Sequence, residues 1–462
     1  MKKLVALLLF FVFTINLYSS SELDYDIYLG FVKNNLPELI KTRLNEEIAR
    51  REVQKASGIN DTKINGSLYY YKNDPTQVQQ SQGVEDTTGL TGEAEVTKKI
   101  LPSGTELFGG AALSRSVVDR DPQQTAYQPS LTVGVRQPLL YNFLGSVDRF
   151  SEQNARLGYE IERIQTKITE NSLLNSYALL YHQWIVYSRI AEINRKGVVN
   201  ARTVYNQMLR KKRSGLAEND EVQKSYSSLL SFRQKHEQSM IDEIQVREKI
   251  AVLTGLDSIK PESSQFDRQY SLVKEFSFDL RNFNTTTSSK YIDLLAERMK
   301  LSRETAENKL MPQVDAVASV TKWDESDSFS DSVSYGKTDY KIGVELSHSF
   351  GNNSAKAEYE ISKLEIVKIQ EDMRSAINSF NTEIRQMRDE SERIKTIIIY
   401  KERNIRALRS QLATETQKYQ SARIDLAYLI NTRNSIAAEE SSLLLQKYNL
   451  ISLYYAYSEL VE

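Results

Sequence analysis

The chain has 462 residues, with 60 Lys+Arg against 61 Asp+Glu and a formal net charge of −1. That balance argues against a dedicated nucleic-acid binder, which carries a basic footprint. Cysteine is absent, so neither disulfides nor lipidation of an N-terminal cysteine can contribute.

Met1-Lys2-Lys3 is a short positive segment, and Leu4–Leu17 is an uncharged apolar one. Ser19-Ser20-Ser21 then offers small residues for cleavage. The pattern predicts a secretory signal over 1–21, with a retained anchor as the alternative. Beyond it the sequence has no apolar run of about 18 residues, so no spanning helix is expected. The spanning structure still open to such a chain is a closed β-barrel, because backbone groups in lipid must pair internally.

In chain order, Leu23–Lys55 is predicted helical, with Pro37 in its first third. Strand-like alternation follows at Ile64–Tyr71, Gly89–Ile100, Thr105–Ser116 and Ser130–Gln137. Pieces of about ten residues with one apolar or small face and one polar face suit barrel strands around a wet lumen. Leu101-Pro102-Ser103-Gly104 reads as a type I turn between two of them. Asp148–Arg213 then runs without proline and with only Gly158 and Gly197, about 100 Å if helical throughout. Its early core positions Leu157, Ile161, Ile164 and Ile168 step by helical intervals. Asn219–Leu253 is a returning helix, and Asp257–Asn284 a mixed linker.

A second series follows in the same order. Ser288–Lys309 is helical, Val314–Thr321 and Tyr340–Phe350 alternate as strands, and Asn353–Gln420 holds neither proline nor glycine. Its seam reads Ile377, Phe380, Ile384, Met387, Ser391, Ile394, Ile398, Lys401, Ile405, Leu408 and Leu412. That spacing is the 3.5-residue repeat of coiled-coil packing. Asp425–Leu460 closes the chain. The repetition of element order predicts an internal duplication. The first repeat spans 22–256, with strands over about 62–138, a long helix over about 147–213 and a return helix at 219–255. A linker covers 257–287. The second repeat spans 288–462, with strands over about 311–350, a long helix at 353–421 and a return helix at 425–460.

The charged stretch RKKRSGLAENDEV at Arg210–Val222 fits a helix hairpin better than a nucleic-acid contact. Arg210, Lys211 and Arg213 oppose the negative end of a helix dipole, and Gly215 suits the residue that ends the helix. Asn219 is the expected cap of the next helix, with Asp220 in its first turn. The three histidines, His182, His236 and His348, have no metal-ligand spacing. Gly351–Lys356 lacks the residues of a phosphate loop.

Several short motifs, in this order, resemble the TolC family of outer-membrane efflux proteins. Asn35-Leu36-Pro37-Glu38-Leu39 is similar to the family's opening motif. Gln137-Pro138-Leu139-Leu140, followed by Gly145, is similar to its strand-to-helix junction, and Leu310-Met311-Pro312-Gln313 to its helix-to-strand junction. Leu253–Leu256 resembles the end of its first repeat, and Lys418–Ala422 its second hairpin turn, with Ala422 in place of glycine. The resemblance implies a mixed α/β membrane protein: a homotrimeric outer-membrane β-barrel continued by a periplasmic α-helical coiled-coil barrel, built from two repeats. It implies a passive, gated conduit of a tripartite efflux or type I secretion system, in the outer membrane of a diderm bacterium. Its partners would be outer-membrane lipid, a periplasmic adaptor (membrane fusion) protein and an inner-membrane pump of RND or ABC type. No catalytic residue, cofactor, metal or nucleic acid is implied.

Three departures matter. The first repeat holds four strand candidates where the family usually has two; the extra hairpin is expected either to extend the barrel outward as a surface feature, the favoured reading, or to enter the barrel. His348-Ser349 stand where the second repeat often has a proline. Tyr428 and Asn431 occupy places that are aspartates at the gate of the family's best-known member, leaving Asp425 as the nearest acid to line the entrance. A secreted structural coiled-coil protein, such as a filament or adhesin stalk, is the alternative reading. It shares the heptads but does not require matched strands in two repeats.

Overall fold

The structure, a computed structural model, describes residues 22–74, 76–256, 259–421 and 423–462. The expected signal segment at 1–21 and the turn residue Ala422 lie outside the described residues.

The elements follow one another along the chain. Strand β1 (Glu22–Leu23) leads into helices α1 (Tyr25–Asn35) and α2 (Pro37–Ser57). The single helix expected over Leu23–Lys55 is thus two. Leu36 is extended (φ −70°, ψ 116°), as a residue preceding proline must be to avoid its ring. Strands β2 (Lys63–Asn73), β3 (Asp86–Ile100), β4 (Thr105–Asp119) and β5 (Gln124–Pro138) follow, with a helical turn at Gln77–Ser81. Then come the long helix α3 (Ser146–Arg213) and its return α4 (Asn219–Thr254). The segment expected as a mixed linker holds β6 (Lys260–Pro261) and helix α5 (Ser264–Glu275). Helix α6 (Thr287–Asn308), strands β7 (Gln313–Trp323) and β8 (Lys337–Ser347), and helices α7 (Asn353–Gln420) and α8 (Leu426–Val461) complete the chain.

By its contacts the chain divides into two units. One holds residues 22–44, Thr166–Ser289 and Ala376–Glu462. Its core is an aromatic knot of fully buried Tyr28, Tyr181, Trp184 and Phe266. Tyr181 stands edge-on to Trp184 at 6.0 Å and leans on Tyr28 at 5.1 Å. The polar ends of these rings are all satisfied. The Trp184 indole donates to Glu243 Oε1 at 2.9 Å, and the Tyr28 hydroxyl to the Tyr177 carbonyl at 3.0 Å. The Tyr181 hydroxyl donates to the Leu23 carbonyl and accepts the Glu262 N–H, tying down the parallel β1–β6 pair. Along α7 the heptad seam is buried at Phe380, Ile384, Ser391, Ile394, Ile398 and Ile405, and half-buried at Met387, Lys401, Leu408 and Leu412.

The other unit, Asn45–Gln165 and Lys290–Ser375, is organised on a six-stranded sheet in the order β2-β3-β4-β5-β7-β8. Every neighbouring pair is antiparallel. The first-repeat hairpin expected as a separate surface feature therefore belongs to this sheet. Strand β3 pairs along its whole length with β4, from Asp86↔Asp119 to Ile100↔Thr105, as β2 does with β3. Backbone pairing that complete leaves the hairpin no freedom to stand apart. The last strand begins and ends three residues before the expected Tyr340–Phe350, so His348 and Phe350 fall outside it.

Candidate functional site

Antiparallel register puts directly opposed residues on one face of a sheet, so the two faces can be read across all six strands. One face carries Ile64, Leu68 and Tyr70 of β2, then Leu90, Ala94 and Val96 of β3. It continues through Leu107, Ala111 and Leu113, then Leu131, Val133 and Val135. It ends in Val314, Ala316, Ala318 and Val320 opposite Leu346, Val344, Ile342 and Tyr340. Aliphatic side chains recur on every strand of this face, with the charged Lys72, Asp86, Lys98, Arg115, Asp119 and Lys322 toward the strand ends, and those of β2 and β8 are widely exposed. Ile342 is 85% exposed, Ile64 74%, Leu68 71% and Val344 66%. An apolar surface of that extent is not what a protein shows to water.

The opposite face carries most of the charged groups, interrupted by Tyr69, Phe108, Val317 and Trp323. It holds Asn65 and Ser67; Glu93, Glu95 and Lys99; Glu106 and Ser114; Thr132 and Arg136; Asp315 and Thr321; Asp339, Lys341 and Glu345. Cross-strand pairing is built in. Arg136 reaches Glu106 at 3.1 Å and Glu345 at 3.5 Å, and the Thr132 and Thr321 hydroxyls meet at 2.9 Å. The sheet thus sets mainly aliphatic groups on one side and cross-strand charge pairs on the other.

The strand-to-helix junction lies below β5. Pro138 ends that strand opposite Asp315. The Leu139 N–H donates to the Val314 carbonyl at 2.8 Å, while the Leu139 and Leu140 side chains are exposed. The Pro312 carbonyl accepts the Tyr141 N–H at 3.3 Å, so Pro138, Leu139 and Pro312 are brought into one junction. Sequence reasoning missed its polar lock. Asn142, buried and left-handed (φ 60°), accepts the N–H groups of Val147 and Asp148 and donates to Asp148 Oδ2 at 2.8 Å. The Asn142 N–H donates to Asn308 Oδ1 at 2.9 Å, and Lys99 pairs with the buried Asp148 at 2.9 Å. The first turn of α3 is thereby capped by a residue outside the helix and tied to β3 and α6. Gly145 is required here, because a Cβ on it would lie 2.1 Å from the Leu101 carbonyl oxygen. In the hairpin turn above it, Ser103 N–H closes on Ile100 O at 3.2 Å. The turn thus begins one residue before the expected position, with Gly104 left-handed after it.

The charged hairpin lies in the helical unit. Gly215 is left-handed (φ 71°). Leu216 N–H bonds to Lys211 O at 2.8 Å and Gly215 N–H to Lys212 O at 3.0 Å, the paired bonds of a Schellman ending. Asn219 is not the cap of α4. That place is taken by Glu218, whose N–H is held by the Glu221 carboxylate at 3.3 Å, while Asn219 accepts from Lys212 Nζ at 2.7 Å. A long acid one residue earlier wins because its own N3 partner can reach back.

The two helix hairpins meet through Met208, Val222, Leu426 and Leu429, all buried, with Tyr419 against them. Lys211 lies 4.6 Å from the Tyr419 ring centre. Lys224 bridges Asp220 at 3.2 Å and Asp425 at 3.6 Å, and with Lys224 beside it the Asp220 carboxyl is held below its ordinary range. Asp425 also caps α8, accepting the Ala427 N–H at 2.6 Å. Of the residues expected here, Asp220 and Asp425 are brought together through Lys224, Lys211 lies over Tyr419 and Gly215 ends its helix, whereas Arg210, Arg213, Tyr428 and Asn431 are simply exposed. Among the described residues, no group of acidic or histidine side chains is arranged to hold a metal, and no helix is long and apolar enough to cross a membrane.

No family model and no curated protein matches the sequence. Solved structures do. The fold defined by this sheet and its long helices is that of outer-membrane channels of the TolC family. The chain is similar to the channel-forming CusC at 12% identity and a TM-score of 0.71, covering 97% of this chain and 96% of that one. It is similar to the CmeC outer-membrane channel of Campylobacter jejuni at 10% identity and a TM-score of 0.69, covering 98% and 91%. The outer-membrane protein VceC of Vibrio cholerae matches at 11% identity and a TM-score of 0.67, covering 94% and 95%.

Proposed function

We propose that this chain is the outer-membrane component of a tripartite efflux or type I secretion machine. It is a passive conduit whose sheet forms part of a transmembrane barrel wall. The observation that carries this reading is the sheet with two continuous, chemically opposite faces. Its exposed aliphatic face needs lipid, and its charged face needs water. The likeness in fold to known outer-membrane channels supports the same reading.

In this account three copies complete the barrel, and two internal repeats supply each copy's share. Residues 1–21 direct export. The paired hairpin turns, with Arg210, Lys211, Arg213 and Asp220 on one and Asp425, Tyr428 and Asn431 on the other, form the periplasmic entrance. There a periplasmic adaptor and an RND- or ABC-type pump dock. The chain carries out no chemistry of its own, because the pump supplies the energy.

Fractionation of the cell envelope tests the reading. The protein should sediment with the outer membrane and leave it only in detergent. Recovery in the soluble periplasm or the medium would instead fit a secreted coiled-coil stalk. At the entrance, reversing the charge of Lys211 and Arg213 should impair export at normal protein level. Unaltered export would reduce the basic run to helix termination.

A further inference from the structure

The sheet ends in two long, exposed edges. Among the described residues β2 pairs on one side only, with β3, and β8 on one side only, with β7. Each edge strand is 11 residues long. Neither is blunted by proline, and each presents large aliphatic or aromatic side chains to the outside, the arrangement that invites another strand. In lipid such an edge cannot stay open, because its N–H and C=O groups would have no partner.

We infer that β2 of one copy pairs with β8 of the next, so that all six strands enter the wall and three copies close an eighteen-stranded barrel. This rests on the conduit proposed above and goes beyond it, since two strands per repeat would give twelve. Three features of the chain agree. Six alternating strands per copy make β2 and β8 antiparallel where copies meet. The helix-proximal ends, Lys63 after α2 and Ser347 before α7, fall at the same rim. Laying the two strands end to end, Lys63 against Ser347, also keeps both faces continuous. It sets Ile64 against Leu346, Leu68 against Ile342 and Tyr70 against Tyr340 on the apolar side. On the polar side Asn65 meets Glu345 and Tyr69 meets Lys341, and no two like charges are opposed. A shift of one residue would turn every aliphatic group of one strand to the wrong face. Barrel diameter grows about linearly with strand number, so the exit is about half again as wide as one built from twelve strands.

The absence of native cysteine makes disulfide trapping clean. Ser67→Cys with Gly343→Cys places two thiols opposite each other across the inferred seam, and a Cβ at Gly343 meets nothing within 4 Å. Within one copy these positions are separated by five strand spacings, about 20 Å or more, too far for a disulfide. Oxidation of the full-length protein in outer membranes should therefore give a reducible covalent trimer. Asn65→Cys or Tyr69→Cys with Gly343→Cys tests the neighbouring face-preserving registers, and a trimer from either also supports the eighteen-stranded wall. Trapping through Ala112→Cys with Lys341→Cys would mean that β4 meets β8 with the hairpin outside, overturning the inference while leaving the conduit intact. A particle of trimer mass that none of the β2–β8 pairs traps overturns it as well. A protein that is monomeric in the membrane would remove the shared barrel altogether.

Discussion

The two units place their apolar groups in opposite ways. In the helical unit the largest side chains, Trp184, Tyr181 and Phe266, are sealed inside the chain, and the Trp184 and Tyr181 polar ends have partners. In the sheet unit the aliphatic groups point outward, and it is the charged face that is internally paired. The contrast separates what the chain stabilises by itself from what it leaves to its surroundings. The knot requires only folding, whereas the proposed function hands the apolar face of the sheet to a membrane.

Substitutions on the two sides should therefore break in different ways. The largest effect is expected in the knot. Trp184→Ala removes a buried ring and leaves the Glu243 carboxylate with Arg247 alone, costing about 3–5 kcal/mol; a melt of the helical signal in detergent measures it. His182, in the same knot, has burial pushing its imidazole down to about 4. The unfolded chain takes up that proton near pH 6.5 while the folded chain refuses it. Stability is thus complete above about pH 6.5 and is lost as pH falls towards 4, by about 3 kcal/mol. His182→Phe should flatten that part of the melting profile between pH 6.5 and 4, and an unchanged slope would assign it elsewhere.

On the sheet, Val344→Arg should cost about 2–4 kcal/mol and lower the amount of assembled protein in the outer membrane. Gly343→Arg, one residue away on the polar face, should cost little. Equal losses would erase the distinction between faces. At the junction, Asp148→Asn deprives Lys99 of its charge partner at about 1.5–3 kcal/mol, read as earlier melting. The smallest change belongs to the hairpin turn, where Gly215→Ala forces a side chain into a left-handed residue at a cost of about 1 kcal/mol.

What was legible in the sequence was periodic. The seam from Phe380 to Ile405 and the alternation in β7 are local patterns, and a 3.5- or 2-residue period needs no knowledge of the rest of the chain. The junction lock was not legible, because Asn142 is explained only by Lys99, Asp148 and Asn308, and Lys99 and Asn308 are distant in sequence. The placement of the extra hairpin depended on strand pairing for the same reason: the alternation of β2 shows that it is a strand, not which sheet it joins. The cap of α4 went to Glu218 over Asn219 because the deciding group is the carboxylate of Glu221, three residues on. At the charged hairpin the type of residue marked the turn correctly, but the bridge from Lys224 to Asp220 and Asp425 joins two hairpins and has no local signature.

The central claim is that the sheet is a wall between lipid and water, and β8 exposes it to a direct measurement. Single cysteines placed one at a time from Thr338 to Leu346 in the otherwise cysteine-free protein, reconstituted in lipid, can be tested with a water-soluble maleimide and a lipid-borne quencher. The account predicts a period of two. Tyr340, Ile342, Val344 and Leu346 should report lipid, while Asp339, Lys341, Gly343 and Glu345 should react from water. Uniform reactivity along the strand would contradict it.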